Sequence, residues 1–230
     1  MEEKDDKFYR LLDMQEREIK PEELEFIREC LHDKDQLVRM EAIPLIIDTP
    51  YSTDDDIKRL IELCDDDAAV VRTEAYEALS KVISPEARER LYKAAQTEDD
   101  EMSRGWAIAM WADSETAHSA NNTDYSRQIA FVLKAMKRKE NRKSDVCKLS
   151  FFYALYRFDY PYALENLLSY LENDDFHIRC SVVNDLIFAA RREDKQKIIM
   201  SFEERLSKED AEAVRFSLIR GIEELKKKIV

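Results

Sequence analysis

An all-α fold of stacked helix pairs is the prediction, and three observations make it. The first is the stretch Asp65–Ser80, DDDAAVVRTEAYEALS, in which an acidic turn leads into Val71, Arg72, Ala75 and Leu79. That spacing places Val71, Ala75 and Leu79 on one stripe of a helix, with carboxylates at its positive N-terminal end. The second is that the phrase recurs. Asp35 leads Val38, Arg39, Ala42 and Ile46; Asp100 leads Ser103, Arg104, Ala107 and Trp111. Weaker copies start at Val146-Cys147, Ile178-Arg179 and Val214-Arg215, so positions 39, 72, 104, 147, 179 and 215 lie 33, 32, 43, 32 and 36 residues apart. Units this short cannot bury an apolar stripe alone, so neighbouring units must supply the core of a repeat array. The third is composition: two Gly and five Pro in 230 residues leave little material for sheets with tight turns.

Each element follows from its local signals. Residues Glu2–Glu18 read as an amphipathic capping helix with Phe8, Leu11 and Leu12 inward. Pro21 opens the first helix of the first pair, to Leu31, and HDKDQ turns into its second, Leu37–Ile47, where Pro44 should kink or shorten it. Ser52, Thr53 or Asp54 caps a helix over Asp54–Cys64, followed by Ala69–Ile83. Ser84-Pro85 opens a helix to Ala95, and QTEDDE leads into Met102–Asp113, which carries Trp106 and Trp111. The polar stretch SETAHSANNT accounts for part of the long interval. Helices then follow over Tyr125–Met136 and Asp145–Phe158, joined by the basic KRKENRKS. Pro161 opens a helix to Leu171, and His177–Ala190, Asp194–Leu206 and Ala211–Lys227 complete six pairs. The whole reads as one domain, residues 1–20 capping and 21–230 repeats.

The phrase D-x-x-V-R-x-x-A-x-x-x-L after an acidic turn resembles the HEAT repeat, including its bacterial HEAT-like subgroup, over roughly Pro21 to Leu225. The resemblance implies a right-handed alpha-alpha superhelix whose second helices line a concave wall. It also implies a ladder of Asp–Arg pairs between successive repeats, with the fourth rung in doubt because Cys147 replaces Arg. It implies little about function, since such arrays serve as adaptors, inhibitors and a few enzymes.

Composition narrows the function classes. Charged residues at 38% and hydrophobic residues at 44% suit a helical protein with solvated outer faces. The net charge of −13 is uneven: residues 1–115 carry 32 acids against 16 bases, residues 116–230 carry 18 against 21. The acidic half disfavours nucleic acid and anionic membranes and favours a partner protein with a basic surface. Cys30 and Cys64 occupy matching positions, as do Cys147 and Cys180, which reads as small buried apolar residues and not as a metal or disulfide set. With no apolar run of membrane length and no apolar leader in MEEKDDKFYR, the expected setting is the cytoplasm of a bacterial cell, as a monomer.

If the residues one before, three after and seven after each Arg are core, those two, five, six and nine after it face the concave wall. This selects Glu41 and Asp48, then Glu74, Glu77 and Lys81, then Trp106, Met110 and Asp113. It continues with Leu149, Phe152, Tyr153 and Tyr156, then Ser181, Asn184, Asp185 and Phe188, then Ser217 and Arg220. Aromatic anchors flanked by charges concentrate binding energy at protein interfaces. The expectation is therefore a non-enzymatic scaffold with no catalytic residue, metal or cofactor, binding a protein partner. An immunity protein that neutralises a basic toxin such as a nuclease is the sharpest form, and a general assembly adaptor is the alternative. His32, His118 and His177 are scattered, without the His-Glu motif of the metal-dependent hydroxylases that share this repeat. A third reading rests on the resemblance to HEAT-like alkylpurine DNA glycosylases, whose groove Trp and Asp could correspond to Trp106, Trp111 and Asp113; the acidic second helices argue against phosphate contacts.

Overall fold

The computed structural model describes residues 2–117, 119, 123–138, 141 and 144–227, the first five as backbone only. Among these residues there are thirteen α-helices and no strand. The chain forms two compact units, Met1–Thr123 and Asp124–Val230. His118, and Lys139, Glu140, Arg142 and Lys143 of the basic segment, lie outside the described residues.

In the first unit α1 (Glu2–Gln15) precedes three helix pairs: α2 (Leu24–Cys30) with α3 (Gln36–Ile47), α4 (Asp54–Leu63) with α5 (Ala69–Ser80), and α6 (Pro85–Thr97) with α7 (Glu101–Ala117). The second unit has α8 (Ser126–Met136) with α9 (Asp145–Arg157), α10 (Ala163–Ser169) with α11 (Phe176–Ala189), and α12 (Lys195–Leu206) with α13 (Glu212–Lys227). The helix starts show the expected chemistry. Thr53 and Asp56 form a reciprocal capping box, and Ser84 accepts the Ala87 amide at 3.1 Å ahead of Pro85. Asp35, Asp100 and Asp175 cap α3, α7 and α11 through the amides of Leu37, Ser103 and His177.

The helix α3 runs through Pro44 and ends at Ile47, the expected bound. Two local expectations are corrected. Pro161 lies ahead of α10, which begins at Ala163 after the left-handed Tyr162. The helix α7 extends past Asp113 to Ala117.

The stripe positions pack as their spacing dictates: Val38, Ala42, Ile46, Val71, Ala75 and Leu79 are all buried. The helix α1 packs on α3, α3 on α5 and α5 on α7, while α2, α4 and α6 each pack on the next helix in the chain. Cys30, Cys64 and Cys147 are buried thiols, and burial pushes that of Cys64 up to about 12. At Gly221 a Cβ would meet Ile187 at 2.9 Å and Phe202 at 3.0 Å, so the close approach of α13 to its neighbours requires glycine there.

The ladder is built differently from the expectation. For Arg39, Arg72 and Arg179, the receiving acid stands six residues before the next repeat's Arg, while Asp35, Asp100 and Asp175, four before theirs, cap the helix. Arg39 donates to Asp66 (2.6 and 2.8 Å), Arg72 to Glu98 (both 2.8 Å) and Arg179 to Glu209 (both 2.8 Å). The third nitrogen of each guanidinium donates to a carbonyl of its own turn, Asp33, Asp66 and Asn173 respectively. Each acid also accepts the amide two residues on, so that one side chain shapes a turn and grips the previous repeat. Lys7 of α1 reaches Asp33 at 2.7 Å, so the capping helix supplies a cation to the first turn. Where Cys147 replaces Arg, the receiving position holds Asn173; both partners are neutral, and Asn173 donates to Asp145 at 2.9 Å instead.

Replacing Arg72 by Ala strands Glu98, whose side chain is almost fully buried, and should cost about 3 kcal/mol. Cys147→Ala leaves only a small void and should cost about 1 kcal/mol. Thermal melts of the two variants check this order, and the reverse order would refute the ladder.

Burial alone would raise Glu98 and Glu209. The donors outweigh it, Arg72 and Tyr76 for the first, Arg179 and Arg205 for the second, and bring each carboxyl down to about 2. A carboxylate depressed in the folded state stabilises fully above its unfolded value and loses that contribution as pH falls through its folded value. Denaturant midpoints should therefore decline as pH falls from about 4.5 toward 2, and Glu98→Gln should flatten part of that decline.

Candidate partner-binding face

In the first unit, Glu41, Asp48, Glu74, Glu77 and Trp106 lie on the side of α3, α5 and α7 that is not fully buried. Glu41, Glu74 and Glu77 are half-buried there, and Asp48 is exposed in an ion pair with Lys81 at 3.0 Å. Gln15 of α1 donates to Glu41 at 2.5 Å. Glu74 sits among like charges: its burial first, then Glu77 and Glu41, raise its pKa, while Lys81 acts in the opposite direction. Glu41, Glu74 and Glu77 thus share one patch whose neighbouring ammonium group, Lys81, is paired with a fourth carboxylate, Asp48.

Trp106 lies on the same side and is 36% exposed. Trp111 instead packs inward, its ring 5.0 Å from Tyr92. Met110 is half-buried. The expectation for Asp113 is corrected: the four further residues of α7 keep it inside the helix, and it is buried.

A row that the spacing argument omitted flanks the acids. Leu37, Val70 and Met102 are all exposed, Met102 to 68%, and stand two residues before each Arg. They lie one helical turn from Glu41, Glu74 and Trp106, so the period that selected those three could also have selected these. The face therefore alternates an apolar row with an acidic one that ends in Trp106.

The second unit revises the aromatic part of the expectation. The helix α9 packs against α8, α10 and α11 and is apolar nearly all round, which buries Leu149, Tyr153 and Tyr156. The Tyr156 hydroxyl donates to Asp194 at 2.9 Å and accepts the Arg191 amide at 3.1 Å, with the Arg191 guanidinium 4.5 Å from the ring. Its role is to fasten the α11–α12 turn. Phe152 is half-buried, 6.2 Å from Tyr170. Asn184 and Arg220 are exposed and bonded to each other at 2.7 Å, and Asp185 is half-buried. Phe188 is exposed, with Arg157 5.9 Å from its ring.

Nothing among the described residues assembles a reactive centre around the histidines. His32 is exposed in the α2–α3 turn, and His177 lies against Phe176 and Asp175 at the start of α11. No group of three or more His, Cys, Asp or Glu among the described residues could hold a metal ion, and no described helix is long and apolar enough to cross a membrane.

Helix pairs joined by acid-lined turns and stitched by an Arg ladder define a HEAT-like alpha-solenoid. Residues 24–111, from the start of α2 to Trp111 in α7, match the family model for HEAT repeats, and over that stretch the chain is similar to HEAT-repeat proteins. No curated protein matches the chain. Repeats of this family point to a protein-interaction scaffold.

The crowding around Glu74 generates a test. A carboxyl raised in the folded state loses stability as pH rises from its unfolded value through its folded one. Glu74→Gln should therefore be more stable than the parent at neutral pH, by about 0.5 kcal/mol. That advantage should vanish below about pH 4, where both states are protonated. Paired melts at the two pH values measure it.

Proposed function

We propose that the protein is a non-catalytic binding module and that the face of α3, α5 and α7 receives a partner protein with a basic surface. One observation carries this reading: Glu41, Glu74 and Glu77 crowd together beside exposed Leu37, Val70, Met102 and Trp106. Crowded carboxylates destabilise the free protein, and a cationic partner relieves that repulsion on binding. The apolar row and Trp106 supply contact area, and the acids supply steering and register. Duplex DNA is disfavoured at this face by the sign of its charge. In its sharper form the module is an antagonist that covers the cationic active site of a toxin such as a nuclease. A general assembly adaptor would use the same face without blocking catalysis.

The protein, Glu74→Lys with Glu77→Lys, and Trp106→Ala should be compared as immobilised baits in a native lysate. The parent should retain basic proteins that elute with salt. The double charge reversal should lose them, and Trp106→Ala should release them faster, with a loss of roughly 2 kcal/mol. Equal retention by all three baits would overturn this face as the binding surface. For a nuclease among the retained proteins, inhibition by the parent in a cleavage assay separates antagonist from adaptor.

A further inference from the structure

The residue four after the ladder position is buried wherever another second helix follows in the same unit and packs against it. Ile43, Tyr76, Phe151 and Val183 hold this place. In α13 the same place holds Ile219, which is 44% exposed. Phe216, one after the Arg, is 68% exposed, whereas its equivalents in the earlier repeats are half-buried or buried. The ladder is open on this side too. Arg215 donates to the carbonyls of Leu206 and Glu209, as the other ladder arginines do to their own turns, but no carboxylate among the described residues reaches it. This side of α13 therefore carries both halves of the inter-repeat joint, the apolar contact and the waiting guanidinium.

Its charge order says what fits. Glu212, Arg215, Phe216, Ile219, Glu223 and Lys226 are all exposed and fall within one stripe of the helix. A second α13 laid antiparallel, with a two-fold axis at Ile219, sets Arg215 opposite Glu223 and Glu212 opposite Lys226. Each pairing then occurs twice, and the two Ile219 side chains meet on the axis with Phe216 beside them. Lys226 already pairs with Glu203 at 2.8 Å, so the Glu212 contact adds to an existing charge cluster. Self-complementarity of this kind is what a two-fold interface requires.

We propose that this face of α13 joins a second copy of the chain, two-fold and antiparallel, in place of the expected monomer. The stripe spans about 14 residues, or about 21 Å of helix, which falls short of a standard-sized interface. The dimer is consequently weak and concentration-dependent.

Sedimentation equilibrium from micromolar to sub-millimolar protein tests this. The parent should pass from monomer to dimer within that range. Ile219→Asp, on an exposed site that leaves the fold intact by circular dichroism, should raise the dissociation constant roughly tenfold or more. Glu223→Arg should do the same by facing Arg215 of the copy with a like charge. Adding Arg215→Glu to Glu223→Arg should restore association in the folded double variant. A parent that stays monomeric throughout, or a dimer unchanged by Ile219→Asp and Glu223→Arg, would overturn the proposal.

Discussion

A guanidinium gripped on two edges is the contact on which the rest of the array depends. One edge of Arg39, Arg72 or Arg179 closes the turn of its own repeat by bonding a carbonyl, and the other reaches a carboxylate in the next turn. The receiving acid is itself tied to a backbone amide, so the turn and the joint form together. Apolar stripes such as Val71, Ala75 and Leu79 supply most of the stabilisation by leaving water, but they are tolerant of sliding. A planar, two-point ion pair has little tolerance, and it fixes the register between repeats.

The same rule explains the ends and the irregular places. The helix α1 takes the place of a second helix: Leu11 is buried where Ile43 and Tyr76 are, and Lys7 serves the Asp33 turn. Glycine at 221 marks where three helices of the last pairs come closest. The buried hydroxyl of Tyr156 does for the α11–α12 turn what an Arg does elsewhere.

The fold was readable because its signal is repeated. Six copies of one phrase average out local noise, and the caps at Thr53, Ser84 and Asp175 follow from short-range chemistry. The face was only partly readable. Glu41, Glu74, Glu77 and Trp106 came from helical period alone, since each has a clear core stripe to be measured against. Tyr153 and Tyr156 did not, because α9 is apolar nearly all round and its sequence marks no single inward stripe. Asp113 was misplaced by a helix-end error of four residues, and Leu37, Val70 and Met102 were within reach of the period but lay before the Arg instead of after it. The ladder acids were hidden by a plainer difficulty. Each turn holds several carboxylates, and sequence does not say which of them folds back to the amide two residues on.

Neutral Cys147 and Asn173 set their joint apart from those of Arg39, Arg72 and Arg179. Between α9 and the turn before α11, a single amide hydrogen bond to Asp145 stands in place of a two-point ion pair. Amide groups accept small rotations with modest loss, whereas a forked ion pair does not. Under load, bending of the second unit would be expected to collect at this seam before it reached the Arg179–Glu209 joint.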